Sequence, residues 1–219
     1  MGYESVKERI AQAALRAGRS AEEVRLLVVS KGRPAEAVRA IYEKGQRLFG
    51  ENRVQELLLK KASLPDDIEW HLIGPLQTNK VKAVLPHIAL LHSLDREHLL
   101  VEIQKRAQHP IPCLVEVKIA QEATKHGVPL EQAEMFIERV LREPAIVLRG
   151  LMGMATLTSD AAQIRREFRQ LYRLFELLRR RYPEVPIDIL SMGMSSDFEI
   201  AIEEGSTLVR VGSAVFTSD

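Results

Sequence analysis

The chain has 219 residues, 46% of them hydrophobic, enough for one large domain or two small ones with a sizeable core. Thirty-one Lys+Arg against 30 Asp+Glu leave a formal net charge of +1, which excludes the global basic field that drives nucleic-acid binding. No apolar run approaches the roughly 20 residues that cross a bilayer, and the single cysteine, Cys113, excludes an internal disulfide.

The N-terminal stretch "MGYESVKERI" is charged and lacks a signal-peptide core, and Val6 stands where a myristoylation pattern needs Ser or Thr. A cytoplasmic protein is the expectation. Helical periodicity then predicts a helix over about 4–17, followed by the apolar run "LLVVS" at 26–30. A helix over 35–45 leads to "RLFG" at 47–50, and one over 52–62 leads to "EWHLIG" at 69–74. A helix over 78–84 leads to "IALLHS" at 88–93, and one over 96–108 leads to "PCLVEVKI" at 112–119. The last units are a helix over 129–142 before "IVLRGLMGM" (146–154), one over 161–181 before "IDILSMG" (187–193), and one over 196–204 before "LVRVG" (208–212).

Eight strand candidates alternating with helices imply βαβ units and a parallel sheet. The predicted fold class is therefore α/β, a (β/α)8 TIM barrel in a single domain over 1–219. An open doubly wound sheet is the structural alternative. In the barrel, active sites lie in the loops after the strands. Those ends carry Lys31, "GENR" (Gly50 to Arg53), His71 to Lys80, Ser93 and Asp95, "GLMGMAT" (Gly150 to Thr156), "SMGMSSD" (Ser191 to Asp197), and Arg210, Gly212 and Ser213.

The last two strands say most. Ser196 and Glu199 have capping-box spacing at the start of a helix, and Gly205 is placed to stop it. Backbone N–H groups near Ser195 would then face the barrel mouth with a helix dipole behind them. Gly212 lets backbone approach a ligand, and Ser213 adds a hydroxyl. Together these predict a phosphate cradle. Facing it, Lys31 ends the first strand. A partly buried amine there loses its proton more easily and attacks aldehydes. A phosphorylated aldehyde describes pyridoxal 5′-phosphate, and phosphorylated sugar aldehydes fit the same outline.

The blocks "VSKGRP", "FGENRVQEL", "WHLIGPLQTNK", "HSLD", "GLMGMAT" and "LSMGMSSDFEIAIEEGSTLVRVGSAVF" resemble, in order, the pyridoxal phosphate homeostasis proteins, which are similar to the barrel domain of alanine racemase. The resemblance spans about residues 4 to 216. It implies a fold-type III barrel in which Lys31 carries the cofactor as a Schiff base. It implies that Ser195, Gly212 and Ser213 bind the phosphate, that Arg210 lies beside the pyridine nitrogen and that Asn52 lies near the ring. One block departs: Lys118 stands where the family pattern has asparagine.

The cofactor is an electron sink best when its ring nitrogen is protonated, usually by a carboxylate. Arg210 stays cationic at neutral pH and would keep that nitrogen unprotonated. Racemisation also needs acid–base groups on both faces of the substrate carbon. Alanine racemase draws its second group, a tyrosine, from another domain and another subunit. The four tyrosines here (Tyr3, Tyr42, Tyr172, Tyr182) fall in or beside predicted helices, not at strand ends. Two readings stand: a non-catalytic carrier in vitamin B6 and amino-acid homeostasis, and a weak pyridoxal phosphate-dependent amino-acid racemase. A non-B6 aldolase is a distant third. Expected partners are pyridoxal phosphate and apo-enzymes that use it, with no nucleic acid and no membrane, and a monomer is the expected state.

The basic stretch 164–182 places Ile164, Phe168, Leu171, Phe175 and Leu178 on one helical face, so it reads as a core helix with solvated arginines. Cys113 reads as inert core. His71 and His92 are too far apart in sequence to suggest a metal site, and Met152, Met154, Met192 and Met194 read as packing at the barrel mouth.

Overall fold

A computed structural model describes residues 2–122 and 126–217. Helix α1 (Tyr3–Arg16) precedes the first strand. The strands of the ring are β1 (Arg25–Val29), β2 (Leu48–Glu51), β3 (Glu69–Leu72), β4 (Leu90–Leu94) and β5 (Ile111–Lys118), then β7 (Ile146–Met152), β8 (Ile189–Ser191) and β9 (Leu208–Val211). The two-residue strand β6 (Val128–Pro129) adds only to the outside of β5. All pairings in the ring are parallel, and β4 pairs with β5 to close it. The single-domain barrel read from the alternating pattern is the fold. The helices are α2 (Ala35–Glu43), α3 (Val54–Lys61), α4 (Val81–Val84), α5 (Glu97–Arg106), α6 (Leu130–Leu141), α7 (Ala161–Arg181) and α8 (Phe198–Glu203).

Alternation along each strand divides the core in two. Leu27, Leu90, Leu114, Met152, Ile189 and Leu208, one from each of six strands, fill the lumen. Their neighbours, such as Val28, Leu91 and Leu190, face the helices in the larger outer core. The lumen is therefore a packed plug beneath the C-terminal mouth.

On α7, Ile164, Phe168, Leu171, Phe175 and Leu178 are buried as the spacing predicts. Three of its arginines pair with acidic groups of neighbouring segments: Arg165 with Glu203 and Glu204, Arg169 with Glu204, and Arg181 with Glu134. No described helix is long and apolar enough to cross a membrane. Cys113 is buried, and burial pushes its thiol up, out of reach of ionisation.

Candidate functional site

The C-terminal end of β1 delivers Lys31 to a cavity of about 380 Å³ at the barrel mouth. The backbone turns at Gly32, where φ is +68°. Lys31 is exposed at the rim, not partly buried as the sequence reading had it, because Gly32 and Pro34 carry the chain out into solvent. No side-chain hydrogen bond or ion pair engages its amine among the described residues, so Nζ is free to reach inward.

Across the cavity rim stand the loops after β8 and β9. Gly193 has φ +94°, and a Cβ there would lie 2.5 Å from the Ala201 methyl, so only glycine lets the loop turn tightly against α8. The turn presents Ser195, whose Oγ lies 3.4 Å from Ser213 Oγ. Gly212 borders the same cavity, and any Cβ there would meet the Val29 carbonyl oxygen at 3.0 Å.

The predicted capping box does not form. Helix α8 begins at Phe198 with Asp197 as N-cap, and Asp197 Oδ1 accepts the Met194 N–H at 2.6 Å. Glu199 instead pairs with Arg9 of α1 at 2.7 Å. The helix has six residues, too short to supply a dipole-driven anion site. What faces the mouth is Ser195 and Ser196 from the loop after β8 and Ser213 from the loop after β9. Gly205, with φ +102°, does stop the helix as expected. A true capping box joins Ser20 and Glu23, before β1.

Arg210 forms part of the floor of the cavity. It is buried and donates to Ser191 O at 2.8 Å, Ser191 Oγ at 2.7 Å and Gly153 O at 3.2 Å. Desolvation lowers its pKa to about 10, so it remains a cation near neutrality. Ser191 Oγ continues to His92 Nδ1 at 3.1 Å, and His92 Nε2 to His71 Nδ1 at 3.0 Å. Burial lowers the His71 pKa to about 3 and takes that of His92 well below its ordinary value, so both rings are neutral. A guanidinium only donates, which fixes the direction of the first bond in the chain. Arg210 donates to Ser191, and the neutral rings of His92 and His71 continue the hydrogen-bonded chain behind it. The two histidines, distant in sequence, are thus one buried relay holding Arg210. Among the described residues no cluster suited to a metal occurs.

Glu116, absent from the sequence reading, also borders the cavity. It is buried, and its pKa is raised to about 7, by desolvation first and by the Asp95 charge second, against the lowering pull of Arg210 and Arg96. Glu116 projects from β5, which lies diametrically opposite β1 in the order of the ring. Lys118, the residue that departs from the family pattern, is half-buried at the end of β5 and does not border this cavity. Asn52 does, and it also borders a larger cleft of about 720 Å³ beside Arg53, Lys80 and Arg96. Of the four methionines, Met152, Met154 and Met194 border the cavity, and Met192 packs in the outer core. None of the four tyrosines borders it.

All six residues singled out from the sequence, Lys31, Asn52, Ser195, Arg210, Gly212 and Ser213, therefore converge on one cavity. The alanine racemase N-terminal domain family matches residues 3–219. The pyridoxal phosphate homeostasis protein of Aquifex aeolicus is 46% identical over 96% of this chain and 94% of its own length. The chain belongs to the family of pyridoxal phosphate homeostasis proteins. A second member, from Escherichia coli, is 40% identical over 96% of this chain and 92% of its own. The structure of the family member PipY of Synechococcus elongatus with pyridoxal phosphate bound superposes with a TM-score of 0.83 at 34% identity, covering 97% of this chain and all of that one. Alanine racemase of Corynebacterium glutamicum, at 15% identity, shares the fold, with a TM-score of 0.73. The match covers 98% of this chain and 61% of that one.

Proposed function

We propose that the protein binds pyridoxal 5′-phosphate covalently through Lys31 and serves cofactor homeostasis as a carrier, without turnover. One observation supports this reading above others: an amine, a guanidinium and the hydroxyls of Ser195, Ser196 and Ser213 border a single cavity of about 380 Å³. The donor set fits the cofactor. Its aldehyde needs an amine, its phosphate needs hydrogen-bond donors side by side, and its ring needs an apolar slot. Lys31, the Ser195 and Ser213 hydroxyls beside Gly212, and Met152 and Met154 supply these in turn. When bound, the cofactor supplies an electron-withdrawing ring.

The chain's own groups limit what that ring can do. Arg210 presents only donors, so it suits a ring nitrogen that keeps its lone pair, which is a weak electron sink. Lys31 is exposed, which suits handing the cofactor to another amine. Asn52 flanks the ring. The expected recipients are apo-enzymes that use the same cofactor, and the protein acts as a monomer. The test is paired. The protein should bind pyridoxal phosphate far more tightly than pyridoxal and should activate an apo-enzyme on mixing. Equal affinity for the two aldehydes would mean the hydroxyl pair holds no phosphate.

A second reading, weak racemisation, is favoured by Glu116. It is a buried carboxyl that exchanges protons near neutral pH, on the strand opposite Lys31. Proton exchange at the substrate α-carbon from both faces needs two such groups. Loss of configuration during α-hydrogen exchange in deuterated water, abolished by Glu116→Gln, would establish this reading. Exchange with retention, or none, supports the carrier.

A further inference from the structure

Lysine is rarely buried without a partner, yet Lys60, in the last turn of α3, is only 7% exposed. Its Nζ donates to the Ser30 carbonyl at 2.6 Å and to Glu51 Oε1. The same Glu51 oxygen accepts from Ser30 Oγ at 2.7 Å. Glu56, one helical turn before Lys60 and 3.8 Å from its Nζ, accepts the Gly32 N–H at 2.9 Å. The residues held are therefore 30 and 32, the two neighbours of Lys31. None of these side chains borders the cavity.

We propose that Lys60 is a positioning residue for Lys31: with Glu51 and Glu56 it clamps the backbone on both sides of the reactive amine. The inference rests on Lys31 being the amine that takes the cofactor. The physical need is specific. Lysine has a flexible four-carbon stem, and among the described residues no side-chain hydrogen bond or ion pair fixes Lys31. A bond from Nζ to an aldehyde whose phosphate is anchored at Ser195 and Ser213 forms fast only if the stem starts from a fixed point. Three charged side chains from β2 and α3 fix that point without touching the cavity. Glu51 Oε2 is buried with no hydrogen-bond partner, which marks this ion pair as one retained at an energetic cost.

The test compares two ligands. Pyridoxal 5′-phosphate can bond to Lys31, whereas pyridoxamine 5′-phosphate has the same ring and phosphate but no aldehyde. Lys60→Met with Glu51→Gln removes both buried charges, so neither is left uncompensated. Retained far-ultraviolet circular dichroism checks the fold. We expect the double variant to capture the aldehyde at least tenfold more slowly and to bind it at least tenfold more weakly. Its affinity for pyridoxamine 5′-phosphate should change by less than twofold. Lys60→Arg, which keeps a cationic donor, should stay within a few-fold of the wild type. Equal losses for both ligands would reduce Lys60 to general structure, and no loss for either would remove the proposal. A wild type that never bonds the aldehyde at Lys31 would sink the reading beneath it instead, a failure seen before any variant is made.

Discussion

The two walls of the cavity achieve order in opposite ways. On the β1 wall the functional side chain is exposed and uncommitted, while the backbone beneath it is clamped by Lys60, Glu51 and Glu56. On the β8–β9 wall the backbone turns freely around glycine, while the functional side chains are committed. Ser195 faces Ser213, and Arg210 is held by Ser191, Gly153 and the histidine pair behind them. The difference fits the work proposed for each. A group that must make and break a covalent bond needs freedom at its tip and a fixed base. Groups that hold charge need their tips fixed in advance.

The largest effect expected from this contrast belongs to Lys31→Ala. The visible absorption of the bound cofactor should vanish, while thermal stability stays within experimental error, because an exposed side chain without partners is removed. A large loss of stability would mean that the amine is tied into the fold after all.

Next comes Glu116, at the cavity floor between the walls. Its folded pKa, about 7, lies above the ordinary 4.5. The stability it contributes is therefore fully present below pH 4.5 and lost as pH rises through 7. Glu116→Gln carries no such loss. Relative to the wild type, it should gain roughly 2–3 kcal/mol between pH 4 and pH 8 in denaturant unfolding of the cofactor-free protein. His71 and His92 act in the opposite sense. Their contribution is present above pH 6.5 and fades on acidification, toward about pH 3 for His71. A pH-independent difference between the Gln variant and the wild type would place Glu116 in water and not in the cavity floor.

Smaller again, Ser195→Ala should weaken pyridoxal phosphate binding by roughly 1–3 kcal/mol, the range for a charge-assisted hydrogen bond. Binding of pyridoxal should not change. The smallest effect is at the neighbouring serine. Ser196 is exposed and caps nothing, so Ser196→Ala should alter unfolding free energy by less than about 0.5 kcal/mol. Ser20→Ala, at the real capping box, should cost about 1 kcal/mol. A reversed order would restore the helix-cap account of the β8 loop.

The eight strands were legible because a parallel barrel buries each as a short apolar run, from "LLVV" to "LVRV". Their ends named the cavity residues for the same reason: few polar groups occur there without purpose. Two features needed more than spacing. Ser196 and Glu199 match a capping box, yet Asp197 captures the Met194 amide and Arg9 takes Glu199, so tertiary contacts override the local pattern. The pairing of His71 with His92 depends on strand register, His71 lying against Leu90, which no local spacing encodes. Glu116 and Lys60 did leave a signal. Glu116 shares the lumen-facing alternation of Leu114, and Lys60 lies three residues beyond the buried Leu57 on the apolar stripe of α3. A charge at an inward position is the sign that a polar partner or a site lies opposite.

Borohydride trapping tests the central claim most directly. The wild type, loaded with pyridoxal phosphate and reduced, should carry one phosphopyridoxyl group, and peptide mapping by mass spectrometry should place it on Lys31. Lys31→Ala treated alike should carry none at that site. A wild type left unmodified, or one labelled at Lys60 or Lys118 with Lys31 untouched, would contradict the account.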